Sequence, residues 1–301
     1  MNLKTADLPT DVPALMDLVI ASVEAEDNSA EENLGFAAQS RLCKLASRDV
    51  LEAARAACES SDALHRRAGA SVLGRLGETL HSPGPIFGEE RYQILTALLA
   101  EEMAGRRDDL VFRDVCFALG HLRDGRAIPA VLALRQHPDD RVRYSVVHAL
   151  SCHDDERAIN GLIELSTDSD EIVRDWATFG LGSLINTDTP AIRRALRARL
   201  NDTDPYAQNE AIEGLIRRED PSVIPTVVSE LKRRVTHDLL YAAERIASPQ
   251  LCEALMSAAD RGLTMEEDGT VFDLTETWQD AMQACGCIVD RPRPMSDLPD
   301  A

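Results

Sequence analysis

One arrangement of apolar and polar positions recurs along this chain about every 31 residues. It is clearest in the segments VFRDVCFALGHL, VRYSVVHALSCH and VRDWATFGLGSL, which begin at Val111, Val142 and Val173. With small insertions, the same register begins again at positions 34, 65, 207 and 238. A fixed period of this length predicts a repeat architecture in which each copy is one small structural unit.

Two columns of these copies define the buried face of a helix. Counted from the first residue of each copy, a small residue or valine stands four positions on and a large aliphatic residue eight positions on, as in helices that stack closely. The small column is Ala38, Gly69, Val115, Val146, Ala177, Ala211 and Ala242, and the large column is Leu42, Leu73, Leu119, Leu150, Leu181, Leu215 and Ile246.

An acidic residue stands three positions before most copies, where it is expected to cap the helix by accepting the free amide donors of the first turn. A second helix follows a short turn. It has one buried isoleucine column, and prolines are tolerated in its first turn because no amide donor is needed there. The capping column is Glu31, Asp62, Asp108, Asp139, Asp170 and Asp204, and the isoleucine column is Ile128, Ile159, Ile192 and Ile224.

Each copy is therefore predicted to be a helical hairpin. The motif D-x-x-V-R, followed by A-L-G-x-L and then A-I-x-x-L, is clearest from Asp108 to about Leu231 and resembles the HEAT-like repeats of the phycobilisome-lyase type. The resemblance implies an all-α fold, a right-handed α-solenoid of about seven antiparallel helical hairpins with a period of 31. Neither helix of such a unit can bury its apolar stripe alone, so neighbouring units must stack.

Breaks in the period predict the domain organisation. Residues 1–30 are expected to hold an N-terminal capping helix, and residues 31–262 the repeats. A Pro- and Gly-rich insertion at 78–91 is expected to be a loop. Residues 263–288 are expected to form a C-terminal capping segment, a short hairpin followed by a helix, and residues 289–301 a disordered tail.

The chain has 32 Lys and Arg against 52 Asp and Glu, a formal net charge of −20. This charge argues against nucleic acid as a partner, since phosphate contacts need clustered cations, and favours a protein partner with a basic surface. No apolar run is long enough to span a membrane, and the first residues lack the pattern of a signal peptide. We expect a cytoplasmic monomer whose seven scattered cysteines are buried thiols.

One stretch near the middle of the chain, DDRVRYSVVHALSCHDDERAI, concentrates residues that can bind metals. His148 and Cys152 are four positions apart and share a helix face, while His121 takes the column of Cys152 one repeat earlier. With His153, they could supply the nitrogen and sulfur ligands that zinc prefers. The competing interpretation, which we favour, is a packing variant in which His148 occupies the same column as Phe117. On this interpretation no cofactor is expected.

Basic residues gather on one predicted second helix, IRRALRARL, against the acidic background. In HEAT-like solenoids the second helix typically lines the concave surface, so these arginines could bind a carboxylate- or phosphate-bearing target. The competing interpretation is a solvated helix face whose charges pair locally. A tryptophan in a column of mixed polarity could be an interface anchor. The candidate partner-binding residues are Asn160, Glu164, Trp176, Arg193, Arg194 and Arg197.

Three functions fit these features. We expect a non-enzymatic scaffold or adaptor that binds a protein partner through its concave face and acidic edge. Acidic runs at the turns, such as TDSDEIVRD, also fit an immunity or inhibitor protein that neutralises a basic toxin or nuclease. The alternative from another class is a phycobilin-lyase-like or DNA-glycosylase-like enzyme. The sequence has none of the common nucleophile or phosphate-loop motifs, and a glycosylase needs a basic, aromatic-lined groove.

Overall fold

Helices begin at the predicted interval, with three of them starting at Asp109, Asp140 and Glu171, 31 residues apart. Nearly all regular structure in the computed structural model is helical, which confirms the all-α prediction. No helix in the described part of the chain is long and apolar enough to cross a bilayer. The structure describes residues 8–24, 30–77, 86–267 and 269–287. The tail predicted at 289–301 lies outside them.

Residues 1–187 form unit 1. Its helices are α1 (Val12–Glu24), α2 (Ala30–Leu45), α3 (Arg48–Cys58), α4 (Ala63–Arg75), α5 (Gly88–Glu101), α6 (Asp109–Leu122), α7 (Ile128–Leu132), α8 (Asp140–Ser151), α9 (Glu156–Leu165) and α10 (Glu171–Phe179). The first helices of successive hairpins, α4, α6, α8 and α10, lie side by side, and α1 packs on α2 and α4 as the predicted N-terminal cap. Among the second helices, α3 contacts α5 and α7 contacts α9.

Residues 188–301 form unit 2, so the division falls inside the predicted repeat array at 31–262. Its helices are α11 (Pro190–Arg199), α12 (Pro205–Ile216), α13 (Ile224–Arg233), α14 (His237–Ile246), α15 (Cys252–Arg261) and α16 (Thr275–Ala284). Strands β1 (Thr264–Glu267) and β2 (Thr270–Asp273) pair antiparallel between α15 and α16. The predicted hairpin and capping helix are thus present, and α16 packs on α14 and α15.

Aspartate side chains begin the first helices, as the capping column predicts. Asp108, for example, accepts hydrogen bonds from the amides of Leu110 and Val111, both at 3.0 Å. Glu31 is an exception, because α2 begins at Ala30 and Glu31 lies within the helix. The aspartates that cap helices are Asp62, Asp108, Asp139, Asp170 and Asp204.

The two predicted core columns are buried. Every member of the small column is inaccessible to solvent or nearly so, and so is the large column up to Leu215. Ile246, at the last copy, is half-buried. Burial of these side chains between stacked helices supplies the main stabilising term of the fold.

The arginine that follows the anchor valine holds the turn before its own helix. The guanidinium groups of Arg66, Arg143 and Arg174 each donate to the two backbone carbonyls that lie five and six residues upstream. Two of them also bind a carboxylate, Arg66 that of Glu102 and Arg143 that of Asp168, both at 2.7 Å. This explains the arginine of the V-R motif as a structural residue.

The insertion predicted as a loop at 78–91 is shorter than expected, because α5 begins at Gly88; residues 78–85 lie outside the described part. The two apolar residues at the described end of the insertion, Ile86 and Phe87, pack onto unit 1. Ile86 lies against Gly77, a residue with φ of +78°, and the ring of Phe87 lies 4.5 Å from the guanidinium carbon of Arg48.

Arg91, in the first turn of α5, is buried and closes the C-terminal end of α4. Its guanidinium donates to the carbonyl oxygens of Leu73, Gly74, Leu76 and Ile86 at 2.6–3.2 Å. The last carbonyls of a helix lack partners within it. One buried cation therefore satisfies carbonyls of the α4 end and ties the end of the insertion to them.

Glycine stands where first helices approach most closely. A Cβ added to Gly74 would lie 2.7 Å from the Cα of Ala118, and one added to Gly120 would lie 2.9 Å from the Cα of Ala149. The contacts between α4 and α6, and between α6 and α8, therefore depend on the absence of a side chain at these two positions.

The prediction that all seven cysteines are free thiols is wrong for one pair. Cys252, at the start of α15, forms a disulfide with Cys287, just after α16, with their Cα atoms 5.4 Å apart. Packing of α16 on α15 brings these two residues together although they are 35 positions apart. Cys285, two positions before Cys287, remains a buried thiol. The other free thiols are Cys43, Cys58, Cys116 and Cys152.

Candidate binding groove

A groove of about 990 Å³ runs across unit 1 and is called the unit 1 groove below. Its lining residues come from α1, α2, α4, α6, α8 and α10, and none comes from α7 or α9. This groove therefore lies on first helices, whereas the expectation that a second helix lines the binding surface concerns α11 of unit 2 and stays a prediction. Counted from the first residue of each copy, positions zero, four and eight of the first helices are buried. Residues at positions two, three, six and ten of these helices are therefore left to face the groove.

A row of aromatic rings crosses the groove from α6 to α10. Phe117 contacts Tyr144 edge-on with ring centroids 5.9 Å apart, and Tyr144 contacts Trp176 in the same way at 5.6 Å. Phe179 contacts Trp176 from the same helix at 5.6 Å. Trp176 is 41 % exposed, and Phe36, on α2 in the groove wall, is 63 % exposed. In a chain with only 4 % aromatic residues, this is a marked local concentration.

Arginine is the main charged residue type in the groove lining. Among the residues that the structure describes, the lining contains four arginines and one aspartate. The single aspartate, Asp114, accepts from Arg67 at 2.8 Å through one oxygen and from Arg113 at 2.8 Å through the other. Arg141 pairs with Asp139 of its own helix cap at 2.8 Å. The fourth arginine is Arg75.

Two of the four predicted zinc ligands meet in the groove. The rings of His121 and His148 have centroids 5.4 Å apart, and the ring of Phe117 lies 4.8 Å from that of His148. Burial, together with repulsion from His121, lowers the pKa of His148. The Cys152 thiol donates to the backbone carbonyl of His148, and burial raises its pKa.

His153, the fourth predicted ligand, is half-buried just after α8, where burial lowers its pKa. No group of three or more His, Cys, Asp and Glu side chains among the described residues could hold a metal ion. The packing interpretation of His148 agrees with its edge contact to Phe117.

The predicted basic cluster lies in unit 2, on α11, where three of its four arginines have acidic partners, Arg199 binding Asp202 at 2.9 Å. Arg193 binds Asp188 and Asp220, and Arg197 binds Asp220. Burial opposes ionisation of Asp220, but hydrogen bonds from Ser222, Arg197 and Arg193 outweigh it and lower the pKa of Asp220 to about 2. Local pairing therefore describes Arg193 and Arg197, and Arg194 is exposed on the same helix.

The other predicted binding residues divide between two surfaces. Trp176 lines the unit 1 groove. Asn160 and Glu164 are exposed on α9, outside the groove lining, and Glu164 pairs with Arg135 at 2.7 Å. The groove arginines could not be recognised from the sequence, because they are scattered along the chain. The signal that could reveal them is their position two residues after the anchor, shared by Arg67, Arg113 and Tyr144.

Much of the acidic charge at the turns of unit 1 is neutralised within the unit. Arginines two positions downstream bind the carboxylates of Asp124 and Asp155 at 2.6 and 3.0 Å. Asp168, in the TDSDEIVRD run, is bound by Arg143. Part of the expected acidic edge therefore consists of carboxylates that cap helices or pair with arginines.

Comparisons with known proteins agree with this architecture. Residues 96–182 match the family model for HEAT repeats. Over 115 residues, 38 % of this chain, the sequence is 31 % identical to Protein YibA of Escherichia coli, in strains K12 and O157:H7 alike. That match spans about two fifths (41 %) of the YibA sequence.

The X-ray structure of Escherichia coli YibA superposes with a TM-score of 0.66 at 18 % identity, covering 93 % of this chain and 98 % of YibA. Residues 96–182 therefore match HEAT repeats, and the chain has the all-α solenoid fold of the YibA structure. This is the class that the sequence motif predicts. At this level of identity the likeness shows the fold alone.

Proposed function

We propose that this protein is a non-enzymatic binding protein, a scaffold or adaptor that holds a segment of a protein partner in the unit 1 groove. The observation that carries the proposal is the partly exposed aromatic row of Phe117, Tyr144 and Trp176. Aromatic side chains are enriched in the energetically important centres of protein interfaces. Exposed rings on a rigid helical surface offer such contacts with little loss of conformational entropy.

An enzymatic function is less well supported. The groove does combine arginines, rings and one carboxylate, which are elements that a base-binding enzyme needs. Both oxygens of Asp114, however, accept hydrogen bonds from Arg67 and Arg113, so its carboxylate is already occupied.

Neutralisation of a basic toxin or nuclease is a second candidate function, and it is supported by the net charge of the chain alone. A net charge of −20 favours partners whose surface is largely basic. Pairing of Asp124, Asp155 and Asp168 with arginines reduces the free charge that the turns offer such a partner. We therefore place the binding site in the groove and assign the remaining acidic surface to long-range attraction.

Affinity capture tests the proposal. The tagged full chain is incubated with extract of the cell that produces it, beside Trp176→Ala and the control Tyr206→Ala, which removes an exposed aromatic of unit 2. A partner should be retained by the wild type and the control, and lost by Trp176→Ala. A photoreactive benzoylphenylalanine at Phe36 should crosslink that partner. Equal capture by all three proteins would refute the groove as the binding site.

A further inference from the structure

We infer that the β-hairpin of unit 2 is an interaction surface for a second copy of this chain, which adds its own β2 to the outer edge of β2. The two β2 strands run antiparallel, and a twofold axis passes between their Phe272 residues. This surface is separate from the unit 1 groove and is independent of the proposed function. The chain then forms a weak dimer, in place of the monomer expected from its sequence.

The hairpin is a sheet of two strands, each of which is an edge strand. Strands β1 and β2 pair antiparallel, and no third strand adjoins them among the residues that the structure describes. All four residues of β2 are exposed. A sheet of two strands is only marginally stable in water, and an edge strand presents backbone amide and carbonyl groups that can pair with another chain.

Hydrogen bonding within the hairpin shows which backbone groups of β2 point outwards. The amide of Leu274 donates to the carbonyl of Leu263 at 2.8 Å, so these two residues form a hydrogen-bonded pair. Hydrogen-bonded and non-hydrogen-bonded pairs alternate along an antiparallel ladder. With the observed register, the backbone of Phe272 therefore bonds to β1, whereas Val271 and Asp273 turn their amide and carbonyl groups away from it.

The two outward-facing residues are complementary to each other across a twofold axis. The backbone of Val271 can exchange two hydrogen bonds with that of Asp273 in a second copy, and the backbone of Asp273 can exchange two with that of Val271 in the same copy. This register places the two Phe272 residues directly opposite each other, as a non-hydrogen-bonded pair with Cα atoms about 4.5 Å apart. Both chains use the same patch, as twofold dimers do.

The side chains favour β2 over β1 as the strand that pairs. Val271 is 66 % exposed and Phe272 is 43 % exposed. Both residue types have high strand propensity, and a facing pair of aromatic rings stabilises an antiparallel pair of strands. On β1, the residue opposite Val271 is Glu266, which is exposed. A charged residue on an edge strand opposes pairing with another chain, so β2 is the edge that a second copy joins.

The β2 edge lies away from the point where the described chain ends. Cys287, the last described residue, is bonded to Cys252 at the start of α15, whereas the hairpin follows the other end of that helix. The 10 residues of α15 span about 15 Å. The chain beyond Cys287 therefore leaves the described part at the opposite end of α15 from β2.

Sedimentation velocity of the full-length protein measures the self-association. Four strand residues from each copy form a small interface, so we expect a Kd of roughly 10–100 µM. Val271→Pro should weaken dimerisation at least about tenfold, because proline lacks the outward amide donor, while the bonds within the hairpin are kept. Glu266→Pro is the matched control. Glu266 lies opposite Val271 and also points outwards, but on the other edge, so this variant should dimerise like the wild type.

Cysteine crosslinking tests the register. In Phe272→Cys, the two copies of position 272 lie across the twofold axis at a Cα separation that a disulfide can bridge. Oxidation by copper phenanthroline should join two chains through this position, as identified by mass spectrometry of the linked peptides. Val271→Cys is the control, since the two copies of position 271 lie diagonally, more than about 7 Å apart, beyond the reach of a disulfide.

Four outcomes would overturn the inference. The first is a protein that stays monomeric at concentrations well above the expected Kd. The second is unchanged dimerisation in Val271→Pro, which would place the contact elsewhere on the chain. The third is loss of the dimer in Glu266→Pro alone, which would assign the pairing to β1. The fourth is crosslinking at position 271 instead of 272, which would exclude this register. Capture of a partner through Trp176 tests the groove separately, so neither result decides the other.

Discussion

The indole ring of Trp176 on α10 meets the ring of Tyr144 on α8 edge-on, with centroids 5.6 Å apart. Tyr144 is half-buried between Trp176 and Phe117, whereas Trp176 is 41 % exposed. We expect Trp176→Ala to lower the free energy of unfolding by only about 1 kcal/mol, because its ring is partly exposed although it contacts both Tyr144 and Phe179. Tyr144→Ala should cost about 2 kcal/mol, since its half-buried ring loses its contacts with both Phe117 and Trp176. Urea unfolding followed by circular dichroism measures both values.

A larger loss of stability in Trp176→Ala than in Tyr144→Ala would contradict this assignment and make Trp176 a core residue. Tyr206→Ala, which removes an exposed ring, controls for the general effect of truncating an aromatic side chain.

Arg91 should be among the most sensitive single positions of unit 1. Arg91→Ala removes the donor of three backbone carbonyls at the end of α4 and of the Ile86 carbonyl at the end of the insertion. Loss of hydrogen bonds from a buried charged group predicts a cost of about 3 kcal/mol or more. Arg135→Ala is the control, because Arg135 also donates to a helix-end carbonyl, that of Leu132, but is exposed. Similar unfolding midpoints for the two variants would show that burial of Arg91 contributes little.

The close approach of α6 and α8 at Gly120 can be tested with one methyl group. In Gly120→Ala the new Cβ would lie 2.9 Å from the Cα of Ala149, so the two helices must separate. Overpacking of this kind costs about 1–3 kcal/mol. Gly105→Ala, where nothing lies within 4 Å of the added Cβ, should be neutral or slightly stabilising. Comparing the thermal unfolding of Gly120→Ala and Gly105→Ala separates the steric effect of an added Cβ from its entropic effect.

The lowered pKa of His148 predicts a loss of stability on acidification. As pH falls through about 6.5, the unfolded chain takes up a proton at this residue before the folded protein does, so the free energy of unfolding decreases. His148→Phe, which supplies the ring of its repeat column, removes this contribution. Between pH 7.5 and 5.5 the wild type should lose more stability than the variant, as measured by urea unfolding at each pH.

Titration of Asp139, Asp155 and Asp220 does not contribute to the change in stability between pH 7.5 and 5.5, because the pKa values of these three side chains are held near 2. Their stabilising contributions are fully present above their unfolded values of about 3.9 and are lost only as pH falls towards 2. Identical pH profiles for wild type and His148→Phe would exclude His148 as the titrating group.

Thiol counting tests the cysteine assignments. Burial raises the pKa of both Cys58 and Cys116 to about 12, with minor contributions from neighbouring groups, so these thiols hold almost no thiolate at pH 8. In the native protein, only half-buried Cys152 should react readily with Ellman's reagent. Five thiols should react in denaturant and seven after reduction. Seven in denaturant without reductant would show that Cys252 and Cys287 are not joined.

The sequence predicts the parts of this fold that depend on local pattern. The capping aspartates, the core columns and the hairpin before α16 all follow from spacing, because caps and helix faces are set by neighbours within one turn. The disulfide could not be predicted, since pairing among seven cysteines depends on how α16 packs on α15. The unit 1 groove could not be predicted either, since it forms only where first helices from several repeats stack side by side.

Of the candidate binding residues, Trp176 is the one that lies in the groove. Residues of mixed polarity occupy its position in the other repeats, and this correctly indicated that Trp176 is partly exposed. The basic cluster on α11 was conspicuous because Arg193, Arg194 and Arg197 are adjacent in sequence. The groove arginines come from three helices, and their charges combine only once these helices are stacked.

The Cys252–Cys287 disulfide makes one covalent ring of α15, the β-hairpin and α16. Terminal units of a repeat array have a neighbour on one side only and are the first to fray. A protease that cuts an exposed peptide bond of β2 would leave both fragments joined, so the nick would appear on a gel only after reduction. In an oxidising setting, the end of the chain is therefore held by a bond that survives local unfolding.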